Sequence, residues 1–250
     1  MNIKIAKSIF TASFKTIGYL FLFIVFTLFI DSQIVAERVE NTQLYTNIIM
    51  LIGFLVVFLK ATRKVKEFML LAVFSGYVGE YIFSIGLHMY SYRLGNVPHY
   101  VPPGHALVYI AAIYFCKQAI IKQYRKIIEK TFTIFVLVYG FLFLIFREDV
   151  FGFVMTVLVV FLLRNKPRER LFFLTMYIIV AYLEIIGTTY QCWHWPDTAW
   201  GVIPFLPSNN PPSGISLIYF LLDLGCLWLY KQRHLIAWKR MKNIRALNTK

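Results

Sequence analysis

Residues 79–109 read GEYIFSIGLHMYSYRLGNVPHYVPPGHALVY, and residues 183–219 read LEIIGTTYQCWHWPDTAWGVIPFLPSNNPPSGISLIY. Each stretch carries a glutamate inside an apolar run, then an aromatic-x-aromatic pair, a lone proline, a Pro-Pro step and an apolar segment that ends on tyrosine. The matched points are Glu80 with Glu184, Tyr90-x-Tyr92 with Trp193-x-Trp195, Pro98 with Pro204, Pro102-Pro103 with Pro211-Pro212, and Tyr109 with Tyr219. The offset is 104 residues at the glutamates and 110 at the tyrosines, so insertions accumulate in the second loop. The chain reads as a duplicated unit whose polar groups gather in one place.

The surroundings of these stretches are those of a membrane protein. The 250 residues are 59% apolar and 18% aromatic, with a mean hydropathy of +0.64, whereas a water-soluble domain is roughly half apolar. Crossing about 30 Å of hydrocarbon takes about 20 apolar residues. Eight runs approach that length, at about 9–30, 44–61, 68–88, 104–121, 131–146, 149–164, 171–190 and 214–230. The expected fold is therefore an all-α polytopic membrane protein of about eight transmembrane helices. Only Arg147-Glu148-Asp149 separates the fifth run from the sixth, which predicts a tight helical hairpin there.

Charge sets the expected orientation. With eight spans, Lys4 and Lys7, the cluster Lys60/Arg63/Lys64/Lys66, the cluster from Lys117 to Lys130, Arg164 to Arg170 and the tail from Lys231 onward share one face. Arg38, Arg93 and Arg147 lie on the other, among Asp31, Glu37, Glu40, Glu148, Asp149 and Asp197. The positive-inside rule then puts both termini in the cytoplasm, in an integral plasma (inner) membrane protein. The net charge of +14 becomes a topology signal and a rim for anionic head groups, and no nucleic-acid partner is expected. The first run is about 20 residues long without a small-x-small cleavage site, so it reads as a retained helix rather than a signal peptide.

The expected organisation is a first four-helix repeat at 1–121, a basic cytoplasmic linker at 122–130, a second four-helix repeat at 131–230 and a basic cytoplasmic tail at 231–250. An even number of spans per unit preserves orientation, so the repeats are parallel and related by a pseudo-two-fold axis along the membrane normal. Both glutamates then lie in the outer half of the third helix of their unit. The Pro-Pro steps are expected to start the fourth helices near Pro103 and Pro212, since proline suits a first helical turn.

Glu80, Glu184 and His105 are the candidate catalytic residues. A carboxyl group inside a spanning helix costs at least a few kcal/mol and normally faces an interior or a wet cavity, and in an apolar site it suits general acid chemistry. It also serves as helix glue, hydrogen-bonded to a neighbour, and duplication copies a structural glutamate as readily as a catalytic one. His105, in the first turn of its helix, is able to give or take a proton. Tyr90, Tyr92, Trp193 and Trp195 read either as an interfacial aromatic belt or as the wall of an apolar cavity that favours cationic character. Asn209, Asn210 and Asp223 join them as candidate substrate-binding residues; Asp223 matches Ile113 in the first unit. Neither the histidines His88, His99, His105 and His194 nor the scattered Cys116, Cys192 and Cys226 show metal-ligand spacing, so no metal is expected. Cys192, in an outer loop, is the cysteine open to oxidation. No P-loop, dinucleotide fingerprint, GxSxG or paired-aspartate motif occurs, and no cofactor is expected.

The segment from Glu80 to Pro102, E-x5-G-x3-Y-x-Y-x-L-G-x-V-P-x-x-V-P, resembles the signature region of the membrane carotenoid-biosynthesis proteins that include the acyclic carotenoid 1,2-hydratases. The resemblance implies acid-catalysed addition of water to a terminal isoprenoid double bond, without a cofactor. Glu80 or Glu184 would protonate the alkene, the four aromatic residues would stabilise the tertiary cation, and the other carboxylate or His105 would activate water. The expected function is thus a cofactor-independent membrane enzyme acting on a lipid or isoprenoid by acid–base chemistry, such as hydration or isomerisation of a double bond. A proton-coupled transporter or lipid carrier, and a non-catalytic membrane subunit or assembly factor, are the other two readings of the same residues.

Overall fold

The computed structural model describes residues 3–240. The end of the basic tail, residues 241–250, lies outside the described residues, as do residues 1–2. Among the described residues the fold is all-α apart from four short strands. Helix α1 (Ile3–Ser13), a π-helical turn (Phe14–Gly18) and α2 (Tyr19–Ile30) lead into the short α3 (Gln33–Ala36). There follow α4 (Thr42–Lys60), α5 (Arg63–Glu80) with a second π-helical turn (Tyr81–Gly86), β1 (Ser91–Tyr92), α6 (Val101–Lys117) and α7 (Ala119–Gln123). The rest comprises α8 (Arg125–Arg147), α9 (Val150–Leu163), α10 (Arg170–Thr189), β2 (Trp193–His194), β3 (Thr198–Ala199), β4 (Ile203–Pro207) and α11 (Ser216–Arg233).

A helix forms over each of the eight apolar runs, because a backbone without water must satisfy its own N–H and C=O groups. Among the described residues, five helical segments are long and apolar enough to cross a membrane: Ile3–Ala36, Thr42–Lys60, Arg63–Gly86, Arg125–Arg147 and Arg170–Thr189. Three fall short of that measure. Helix α6 has 17 residues, α9 has 14, and the 18-residue α11 carries Asp223, Lys231 and Arg233.

Local chemistry sets the ends. Pro102 and Pro103 stand in the first turn of α6 as expected, but α11 begins at Ser216, four residues past Pro212. The Asp149 carboxylate accepts the Ser213 N–H at 2.7 Å and holds that stretch in a turn before the helix can start. The hairpin between α8 and α9 is as tight as expected: Glu148 takes a left-handed φ of 54° and Asp149 caps α9 by accepting the Gly152 N–H. The stretch read as a linker, 122–130, is helical but for Tyr124, between the end of α7 and the start of α8. There the Arg125 guanidinium pairs with Glu129 one turn on and donates to the carbonyls of Pro167 and Arg168.

Helix α10 sits at the centre, with Met176, Tyr177, Ile179 and Val180 fully buried and α2, α6, α8 and α11 packed around it. Helix α5 lies against α6 and α11. A Cβ on Gly76 would stand 3.2 Å from Pro102 Cα, and one on Gly79 would stand 2.3 Å from a Leu222 methyl. The missing side chains let the three helices approach closely, as small residues do between membrane helices.

Two buried aspartates fasten the loops over one end of the bundle. Asp31, after α2, accepts from Arg93 at 2.5 Å and from the Tyr100 hydroxyl at 2.8 Å. Asp149, between α8 and α9, accepts the backbone N–H of Asn209 and of Ser213. Each thus ties the hairpin of two helices to the loop that precedes α6 or α11.

Candidate functional site

The aromatic loops meet in a two-stranded ribbon. Strand β1 pairs antiparallel with β2, Ser91 opposite His194 and Tyr92 opposite Trp193, and the Arg93 N–H donates to the Cys192 carbonyl at 3.0 Å. The same register sets Tyr90 opposite Trp195, and their rings lie 4.4 Å apart; those of Tyr92 and Trp193 are 6.1 Å apart. Alternate residues of a strand share a face, so the aromatic-x-aromatic spacing turns all four rings toward the helices. A left-handed residue stands two positions before each pair, His88 at φ 50° and Gln191 at φ 57°. The first loop is one residue longer from glutamate to aromatic, Glu80 to Tyr90 against Glu184 to Trp193. The π-helical turn after α5 absorbs that residue, while α10 continues as an ordinary helix.

The rings close on the glutamates. Glu80, at the end of α5 and 5% exposed, accepts at Oε2 from the Tyr90 hydroxyl at 2.5 Å and from the Tyr92 hydroxyl at 2.6 Å. Burial, then the neighbouring Glu80 carboxyl, pushes both phenols well above the ordinary tyrosine range, so both keep their protons. Oε1 of Glu80 has no hydrogen-bond partner among the described residues. Glu184, within α10 and 1% exposed, accepts at Oε2 from the indole N–H groups of Trp193 and Trp195 at 2.8 and 2.9 Å. Its Oε1 accepts from the Tyr219 hydroxyl of α11 at 2.7 Å. An indole can only donate. Oε2 of Glu184 is therefore an obligate acceptor, whereas Glu80 can carry a proton on Oε1.

Both glutamates line one narrow, mostly apolar cavity with Tyr90, Tyr92, Trp193, Tyr219 and His105, walled further by Phe23, Leu28, Val108 and Leu222. It leaves about 50 Å³ to the centre of a water-sized sphere. About 10–15 Å³ holds one water, so there is room for a few waters or the slim end of a hydrocarbon chain. Trp195 reaches Glu184 from behind the wall. Asp223 stands behind His105, its Oδ1 3.5 Å from Nε2.

Asn209 and Asn210 lie away from the cavity and fasten loops. Asn210 Oδ1 accepts the Trp195 N–H at 2.9 Å and its Nδ2 meets His194 Nδ1, while the Asn209 side chain donates to the Pro211 carbonyl. Polar residues beside a proline-rich helix entrance look alike whether they face a ligand or hold the chain. The histidines scatter: His99 meets the Tyr77 hydroxyl and His194 meets Asn210. Among the described residues no group of three or more His, Cys, Asp or Glu is placed to hold a metal ion. The Cys192 thiol, expected in an accessible loop, is instead buried and donates to the Leu28 carbonyl, and burial pushes it up, away from the thiolate that oxidation needs.

Tyr219 is the site residue that the sequence reading placed only as a marker of the repeat. Its alignment with Tyr109 was visible, but its reach to Glu184 depends on how α11 packs on α10. No family model matches this chain, and no curated protein and no solved structure matches it.

Proposed function

We propose that the protein is a cofactor-independent membrane enzyme that protonates a double bond of a lipid or isoprenoid, leading to hydration or isomerisation. The observation that carries this reading is the inequality of two glutamates on one apolar cavity: one has an oxygen without a partner among the described residues, and the other has both oxygens hydrogen-bonded. Glu80 delivers its Oε1 proton to the less substituted carbon of the terminal double bond; the π electrons form the new C–H bond and leave a tertiary cation on the other carbon. The faces of Tyr90, Tyr92 and Trp193 and the carboxyl oxygens of Glu184 oppose that charge. A cavity this narrow and apolar suits a chain end, not a polar head group. The resemblance of residues 80–102 to acyclic carotenoid hydratases agrees with that substrate class.

The same reading includes eight crossings in two parallel four-helix repeats, with both termini cytoplasmic in the plasma membrane. A helix over each apolar run supports the eight crossings. The local two-fold of the ribbon supports the repeats, because it exchanges Tyr90 with Trp193 and Tyr92 with Trp195. The matching roles of Asp31 and Asp149 support them as well. The one-sided distribution of lysine and arginine supports the orientation.

Mass-spectrometric profiling of lipids in cells that express the protein tests the function. A product that gains the mass of water, or an isomer of the precursor, is expected with the wild type and is absent with Glu80→Gln. A lipid profile indifferent to the protein and to both Glu80→Gln and Glu184→Gln would sink the reading. Proton-coupled flux in proteoliposomes that the same substitutions abolish would replace it with a carrier.

A further inference from the structure

At the cavity wall and just behind it, a group of buried polar atoms lacks protein partners. Both ring nitrogens of His105, both carboxylate oxygens of Asp223 and the Ser75 hydroxyl are buried without a hydrogen bond. His105 is 6% exposed and Asp223 2%. Ser75 lies one helical turn from Gly79 on the face of α5 that meets α11. His105 Nε2 and Asp223 Oδ1 stand 3.5 Å apart, beyond the roughly 2.7–3.2 Å of an N–H···O bond. Buried polar groups are almost always hydrogen-bonded, to protein or to ordered water. A water beside this gap reaches both side chains and has the two or more polar partners that a buried water takes.

We propose that one ordered water bridges His105 and Asp223, and that the bridged pair is the proton acceptor of the cavity, separate from the acid at Glu80. His105 lines the cavity and Asp223 does not, so His105 takes the proton and Asp223 is a positioning residue that orients the imidazole and balances its charge. The tilted ring of Tyr219, 6.0 Å from that of His105, links the pair to the Glu184 side of the cavity. The acceptor role rests on the acid–base reading above; the water site does not. Once Glu80 has protonated the alkene, the cation is discharged in one of two ways. A neighbouring C–H bond breaks and its electrons form the new double bond, or a water lone pair forms a C–O bond and the oxygen then releases a proton. Either proton passes to a His105 nitrogen and returns to the Glu80 carboxylate, which closes the cycle.

A structure of the full chain in lipid nanodiscs, at a resolution that shows ordered waters, tests the site directly. Density within hydrogen-bond distance of a His105 nitrogen and an Asp223 oxygen is expected. The two side chains closing onto a direct hydrogen bond, with no such density, overturns the water site. The acceptor role is tested with the acyclic carotenoid lycopene in mixed micelles made up in D2O. Asp223→Asn should lower kcat tenfold or more with KM unchanged, Asp223→Glu should restore most of it, and Glu80→Gln should abolish deuterium entry into the product. Unchanged kcat in both Asp223→Asn and His105→Gln overturns the acceptor role. Lycopene left unconverted by the wild type, or turnover retained in Glu80→Gln, fails the acid reading and the acceptor role with it. The wild-type density then decides the water site alone.

Discussion

The two glutamate nests are built to one plan and differ in the donors they use. Glu80 is met by two phenols on one oxygen, and Glu184 by two indoles on one oxygen and a phenol on the other. A phenol can donate or accept, and an indole can only donate. The first nest therefore tolerates a proton that comes and goes, while the second fixes a carboxylate oxygen as acceptor throughout. The two acids share a plan of aromatic partners, and the choice of aromatic residue separates the hydrogen bonds open to each. The third donor of Glu184 sharpens the contrast, since Tyr109, the counterpart of Tyr219, packs against Phe68 and Phe172 and makes no bond to Glu80.

Glu80→Gln gives the largest expected effect. Turnover should fall by about 10²–10⁴, the usual worth of a general acid, or about 3–5 kcal/mol of barrier, while unfolding in nanodiscs moves little because the amide oxygen still accepts from a phenol. Product formation alongside thermal unfolding measures both; a full-rate Glu80→Gln beside a dead but folded Glu184→Gln would invert the assignment. Glu184→Ala comes next and acts on the fold. It strands two indole donors and a phenol, at about 1–3 kcal/mol for each buried group left unpaired, so a loss of about 3 kcal/mol or more is expected, read by the tryptophan emission of the unfolding protein. Gly187→Ala drives a Cβ to 2.0 Å from the Trp193 ring and should cost about 1–3 kcal/mol by overpacking. The same change at Gly225, where a Cβ meets nothing within 4 Å, serves as its near-neutral control in that assay. Tyr90→Phe is the mildest, at about 0.5–1.5 kcal/mol for one hydrogen bond, and it should move turnover more than stability. A stability loss as large as that of Glu184→Ala would break the distinction between the nests.

Much of this arrangement was legible in the sequence because it is written in short periods. A glutamate in an apolar run, an aromatic at every second position and a Pro-Pro step each leave a local pattern, and their recurrence marks the two stretches as one design. The tethers left no such pattern. Asp31 and Asp149 read as outer-face charges beside helix ends, and only packing shows both buried and holding the loops. The reach of Tyr219 to Glu184 and the approach of His105 to Asp223 span 35 and 118 residues, separations at which no spacing rule operates. Asn209 and Asn210 show the converse: the sequence gives their polarity, but the fold turns it to loop fastening.

The ribbon of β1 and β2 makes the site a single assembly event. A slip of one residue along a strand turns every side chain to the opposite face. Moving β1 past β2 by one position would withdraw Tyr90 and Tyr92 from Glu80 together, and would break the pairing that presents Trp193 and Trp195 to Glu184. No half-built version is accessible by that route. The two acids gain their partners in one closure, so the ribbon works as a checkpoint: a chain that has found this register has both nests, and a chain that has missed it has neither.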